Sequence, residues 1–153
     1  MRFLILAATF VFCFSVNLDA QTKNDKQPLG HVIYNSNVDA PLTFQEKQML
    51  QEVYGDKLEA YVLSNPQRLK TLKNILRNRV EVKLISNPRD QKKCTLLSQV
   101  SLFNYYNENL SRGNFDVNNF NPLKYNFNFY ARGTSLYRVD NTNYFIVIKS
   151  QHQ

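Results

Sequence analysis

The chain of 153 residues has no tryptophan, four glycines, two cysteines and two histidines. Each scarcity narrows the chemistry. No phosphate-binding glycine loop and no CxxC, HExxH or GxSxG pattern is present. His31 stands in a polar stretch near the N-terminus and His152 is the penultimate residue, so neither is placed to act as a base for Cys94 or for a serine. A zinc site is not expected from such distant ligands, and no cofactor is expected. The absence of tryptophan also weakens a carbohydrate-binding reading, because stacking on sugars favours large aromatic faces.

Long apolar runs are equally scarce. The exception is "FLILAATFVFCFSV", residues 3–16, which follows Arg2 and precedes the small residue Ala20. That is the layout of a secretory signal peptide cleaved after Ala20. A run of about 14 residues falls short of the ~20 needed to cross a bilayer, so the protein is expected to be exported, periplasmic or secreted, and not membrane-spanning once residues 1–20 are removed. Cys13 would leave with the signal. Cys94 would then have no intramolecular disulfide partner, although an oxidising compartment would permit one. It reads as a small buried residue leading into a strand. Roughly 130 residues remain, enough for one domain with a single core.

Basic charge is what the sequence has in excess: the formal net charge is +7. It is unevenly placed, with a basic stretch at 66–93 and a net acidic one at 39–65. Residues 21–40, beginning "QTKNDKQPLG", are polar and aperiodic, which predicts a flexible mature N-terminus with at most a short edge strand at "HVIYNS". A single domain is expected over 41–150. Its first helix begins at Thr43, which with Glu46 has capping-box spacing, and stops at Gly55. A second begins near Asp56 and carries Leu58, Tyr61 and Val62. "SNPQRLKTLKNILRNR" predicts a third, capped by Asn65 with Pro66 in the first turn. Leu69, Leu72, Ile75 and Leu76 form its apolar face, and Lys70, Lys73 and Arg77 cluster away from it.

The period then changes. "VEVKLIS" alternates as a half-buried strand, and "KCTLLSQV" is its expected partner. The Asn-rich stretch 104–124 reads as an ordered loop with a short helical turn, pinned by Phe115, Phe120 and Leu123. Strands are expected near Tyr125–Ala131, Ser135–Val139 and Tyr144–Lys149, with a turn at "DNTN". The last, apolar on both faces, belongs at the sheet centre. Helices first and strands last give an α+β fold, N-terminal helices packed on a C-terminal antiparallel sheet in two layers.

Two surfaces follow from this reading. Lys70, Lys73 and Arg77 offer a basic helix face to an acidic protein or an anionic envelope component. On the sheet, Tyr125, Phe127 and Phe129 alternate with Asn126, Asn128 and Tyr130, so the latter would face outward with Arg138 beside them, able to hold a sugar or peptide. Nucleic acid is not the expected partner, since export removes the chain from it and the basic residues match no recognition module. The expected function is a non-catalytic envelope or secreted interaction domain. The alternative is a small secreted hydrolase using a carboxylate pair drawn from Glu81, Glu108, Asp116 or Asp140.

Three segments, "LSNPQRLKTLKNIL", "FNPLKYNFNFY" and "YRVDNTNYFIVI", resemble those of a group of small exported bacterial proteins of uncharacterised function. The likeness spans most of residues 42–150. It implies a bacterial envelope or secreted location and brings no activity or site residue with it.

Overall fold

The strongest local signals produce the elements they specify. The structure, a computed structural model, describes residue 32, residues 34–86 and residues 94–152. The signal peptide expected over 1–20 therefore lies outside the described residues. Helix α1 spans Phe44–Tyr54 and opens on a complete capping box, with Glu46 N–H donating to Thr43 Oγ1 at 3.2 Å and Thr43 N–H to Glu46 Oε2 at 2.8 Å. Gly55 ends it at φ 51°, a backbone angle that glycine tolerates without penalty. The helix expected from Asp56 forms as a short 3₁₀ turn and then a π-helical turn, Glu59–Leu63, burying Leu58 and Val62 and leaving Tyr61 largely exposed.

Helix α2 spans Pro66–Asn74, with Asn65 Oδ1 accepting from Arg68 N–H at 3.0 Å. Its continuation, Ile75–Arg79, is π-helical, and the chain passes straight into strand β1, Val80–Leu84. Strands β2 (Thr95–Leu96), β3 (Ser135–Arg138) and β4 (Tyr144–Ile148) complete a four-stranded sheet in the order β1-β4-β3-β2. β4 is central, as its apolar composition predicts, with Phe145, Ile146 and Ile148 almost wholly buried. It pairs antiparallel with β1 (Val82 opposite Ile146) and with β3 (Tyr137 opposite Ile146).

The fold is α+β with the helices ahead of the sheet, but the sheet is mixed rather than antiparallel. β2 pairs with β3, not with β1, and runs parallel to it. A second correction concerns the alternating aromatic stretch. Residues 125–130 show the expected burial, with Tyr125 and Phe127 inside and Asn126, Asn128 and Tyr130 exposed. They form a strap, not a sheet strand. Phe127 N–H donates to Tyr125 O and Phe129 N–H to Phe127 O, both at 2.8 Å, the bonding of γ-turns, in which each amide closes on a carbonyl two residues back.

The apolar side chains form two clusters, which the strap joins through Phe129. Leu50, Val53, Tyr54, Leu58, Val62, Leu72, Ile75 and Leu123 form the helix-side core. Leu97, Val100, Tyr125, Phe127, Val139, Ile146 and Ile148 form the sheet-side core, and Val80 and Phe129 pack against both. Before α1, residues 36–39 make a 3₁₀ turn and Val38 is 2% exposed, so the end of the stretch expected to be flexible is packed. The edge strand expected at 31–36 falls partly outside the described residues, and its described part leads into that turn. Among the described residues no helix is long and apolar enough to cross a membrane.

Candidate functional site

The basic side of α2 faces the chain itself. Lys73 is 8% exposed, and its Nζ donates to the carbonyls of Val38 at 3.0 Å and Ala40 at 2.7 Å. Arg77 grips Glu46 through Nε to Oε1 at 2.5 Å and Nη2 to Oε2 at 2.7 Å. It also donates to the carbonyls of Asn37, Ala40 and Pro41. The Arg77 guanidinium holds the Glu46 carboxyl below the usual glutamate range, and Glu46 in turn raises Arg77. Lys70 is more open, but its Nζ lies 3.5 Å from Asp39 Oδ1 and 5.2 Å from the Tyr34 ring centroid. The docking face expected at Lys70, Lys73 and Arg77 is thus the bed on which residues 34–41 lie. Helical periodicity placed these cations together correctly; backbone carbonyls, which have no signature in the sequence, supply most of their acceptors.

The other flank of α2 opens on a cavity of about 200 Å³, walled by Tyr54, Phe103, Phe127, Phe129 and Tyr130, with Arg68 among its lining. Arg68 precedes Leu72 by four residues and Ile75 by seven, which puts it on the inward stripe of the helix. Its guanidinium carbon is 5.5 Å from the ring centroids of both Tyr54 and Tyr106, and Nη2 donates to the Tyr106 hydroxyl at 3.0 Å. Burial works against the Arg68 charge, but the hydrogen bonds it donates to the Tyr106 and Tyr54 hydroxyls outweigh it, so the guanidinium is held more firmly protonated than usual. Burial also pushes the Tyr54 phenol up, against the pull of Arg68. At neutral pH the site therefore presents a fixed cation beside the neutral Tyr54 phenol.

Tyr106 extends this aromatic wall outward. Its ring centroid is 5.0 Å from Tyr54, 4.9 Å from Tyr61 and 4.8 Å from the exposed Tyr105. Among the described residues no carboxylate pairs with Arg68. Of the second predicted surface, Asn126 and Tyr130 line the cavity. Asn126 braces the strap, its Nδ2 donating to Ser101 Oγ at 2.9 Å and to the Leu102 carbonyl at 3.0 Å. Asn128 is exposed but does not line the cavity. Arg138 is elsewhere, bonded to the Thr142 carbonyl at 2.9 Å within the β3–β4 turn and 5.8 Å from the Phe145 ring centroid. The residues that sequence reading missed are Arg68, Tyr54, Phe103 and Tyr106. For Arg68 the signal was present, because its spacing to Leu72 and Ile75 sets it on the apolar stripe rather than on the basic face.

The acids proposed for catalysis are held by separate sets of donors. Glu81 pairs with Lys83 at 2.8 Å and with Lys149. Asp116 accepts from Asn118 N–H at 2.9 Å and Asn119 Nδ2 at 2.6 Å, and Asp140 from Ser98 N–H at 2.9 Å and Ser98 Oγ at 2.5 Å. These donors lower all three acids, which makes them poor general acids. Glu108 is exposed and lines none of the described cavities. No family model, curated protein or solved structure matches this chain.

Proposed function

We propose that this protein is an exported, non-catalytic binding domain whose aromatic cleft takes an apolar or aromatic group bearing a negative charge. One observation carries the reading: Arg68 sits at a cavity of about 200 Å³ walled by aromatic rings and has no carboxylate partner among the described residues. Apolar walls with a few placed polar groups are the usual make-up of a ligand pocket. A guanidinium flanked by ring faces keeps donors for an incoming carboxylate, sulfonate or phosphate. The export half of the proposal rests on the signal-like residues 1–20.

The test uses two probes. Anilinonaphthalene sulfonate has an aromatic body and one anion, and N-phenylnaphthylamine has a similar body with none. The absence of tryptophan keeps the fluorescence background low. Wild-type protein should bind the sulfonate more tightly than the amine. Arg68→Met should lose about tenfold in affinity for the sulfonate, the ~1.4 kcal/mol of one charge-assisted contact, and little for the amine. Equal losses for both probes, or none, would overturn the role of Arg68. Failure of the folded wild-type protein to bind either probe would overturn the cleft itself.

A further inference from the structure

Arg79 closes the inward stripe of α2 at its other end. It is 4% exposed, and its Nε and Nη2 both donate to the Lys149 carbonyl at 3.1 Å, with Nη2 also reaching the Phe129 carbonyl. These acceptors are neutral. Among the described residues no carboxylate pairs with Arg79, and no acceptor meets its Nη1. Burial pulls the Arg79 pKa down, the response of a cation short of counter-charge. Interiors seldom hold a charge without a partner, because desolvation costs several kcal/mol per ion.

Beside it lies a cavity of about 120 Å³, lined by Asn35, Asn74, Asn78, Arg79 and residues 149–151. Asn74 is 3% exposed, and its Oδ1 accepts from Asn78 Nδ2 at 2.8 Å, while its own Nδ2 meets no described acceptor. Asn78 is also paired with Asn37, each amide donating to the other at 3.0 Å and 2.7 Å. The side-chain oxygens of Asn74 and Asn78 are therefore engaged, and Arg79 Nη1 and Asn74 Nδ2 are N–H donors on two deeply buried side chains that meet no acceptor among the described residues. Asn74 ends α2 and Arg79 ends the π-helical turn Ile75–Arg79 that follows it, with Val80 N–H donating to Ile75 O. Such turns interrupt regular helix at a cost and concentrate at functional sites. The acid that contacts Lys149, Glu81, is already neutralised by Lys149 and Lys83.

We propose that this cavity binds a small tetrahedral oxyanion of the phosphate or sulfate type, which accepts from Arg79 Nη1 and Asn74 Nδ2 and supplies the missing counter-charge. Its volume of about 120 Å³ leaves room for such an ion. The site is independent of the aromatic cleft, and Arg68 plays no part in it.

The test compares thermal unfolding of the protein and of Asn74→Asp in sodium phosphate and in sodium chloride of matched ionic strength. The aspartate keeps the oxygen that accepts from Asn78 and adds a built-in anion beside Arg79. Phosphate should raise the wild-type midpoint saturably, by about 3–6 °C. Asn74→Asp should melt higher than wild type in chloride and lose the phosphate response. An equal phosphate response in both proteins, or none in the wild type, would overturn the site. A phosphorus NMR titration of the wild-type protein reads the same site without any variant: line broadening that saturates supports it, and an unbroadened line overturns it.

Discussion

The two flanks of α2 carry the same kind of residue in opposite situations. On one flank Lys73 and Arg77 are bonded to the carbonyls of residues 37–41 and to Glu46. On the other, Arg68 has aromatic faces and a tyrosine hydroxyl, with no carboxylate among the described residues. A count of charges per helix face would rank the first flank as the binding surface. Their acceptors reverse that ranking. A cation that already holds a carboxylate and several carbonyls has little left to offer, whereas a half-buried one beside an open cavity does.

The sharpest way to break this contrast is Arg77→Met. It leaves Glu46 with 12% side-chain exposure and no counter-charge, and should cost about 3–5 kcal/mol in urea unfolding. A cost under ~1 kcal/mol would mean that the Arg77 flank is as free as the Arg68 flank. Leu72→Ala comes next, at about 3 kcal/mol, because Leu72 is 8% exposed in the helix-side core and its loss leaves a cavity. It also lines the aromatic cleft, so sulfonate-probe affinity should change with it, which Arg77→Met should not cause.

The pH dependence of stability sharpens the comparison further. Arg77 lowers the Glu46 pKa in the folded state, so its contribution is fully present above the ordinary glutamate value of about 4.3 and is lost as pH falls through the lower folded value. Wild-type protein should lose stability more steeply than Glu46→Gln across that acid window, and superimposable profiles would remove the pair from the account. The smallest effect belongs to Arg68→Met, which should cost about 1 kcal/mol of stability, from one hydrogen bond and two ring contacts, while it weakens sulfonate binding. A large loss of stability there would make Arg68 a structural cation like Arg77.

Much of the local structure was legible because it depends on neighbours in sequence. The Thr43–Glu46 box, the Asn65 cap with Pro66, the Gly55 stop and the central β4 all follow from short-range chemistry. What escaped was long-range or carried by backbone atoms. Two residues of β2 give no periodicity from which to read a parallel pairing with β3. The 125–130 strap alternates like a strand because side chains in any extended backbone do, and nothing in the alternation reports where its amides bond. For the candidate site the reading was partial: Asn126 and Tyr130 were named and reach the cleft, while Arg138 braces a turn. Arg68 and Arg79 were legible in principle, being four residues from Leu72 and Ile75 respectively on the inward side of the helix. They were passed over because cations are read as solvated by default.

The bonding of the strap has one more consequence. "YNFNF" is aromatic, uncharged and free of proline, the composition from which stacked cross-chain sheets nucleate. In the folded protein the Phe127 and Phe129 amides are closed on the strap's own carbonyls, and the Asn126 amide on Ser101 at 2.9 Å. The strap thus has few free donors with which a second molecule could template on it. Its γ-turns act as a safety catch on an aggregation-prone segment, and release of the strap is the event by which destabilised variants of this protein should begin to form fibrils.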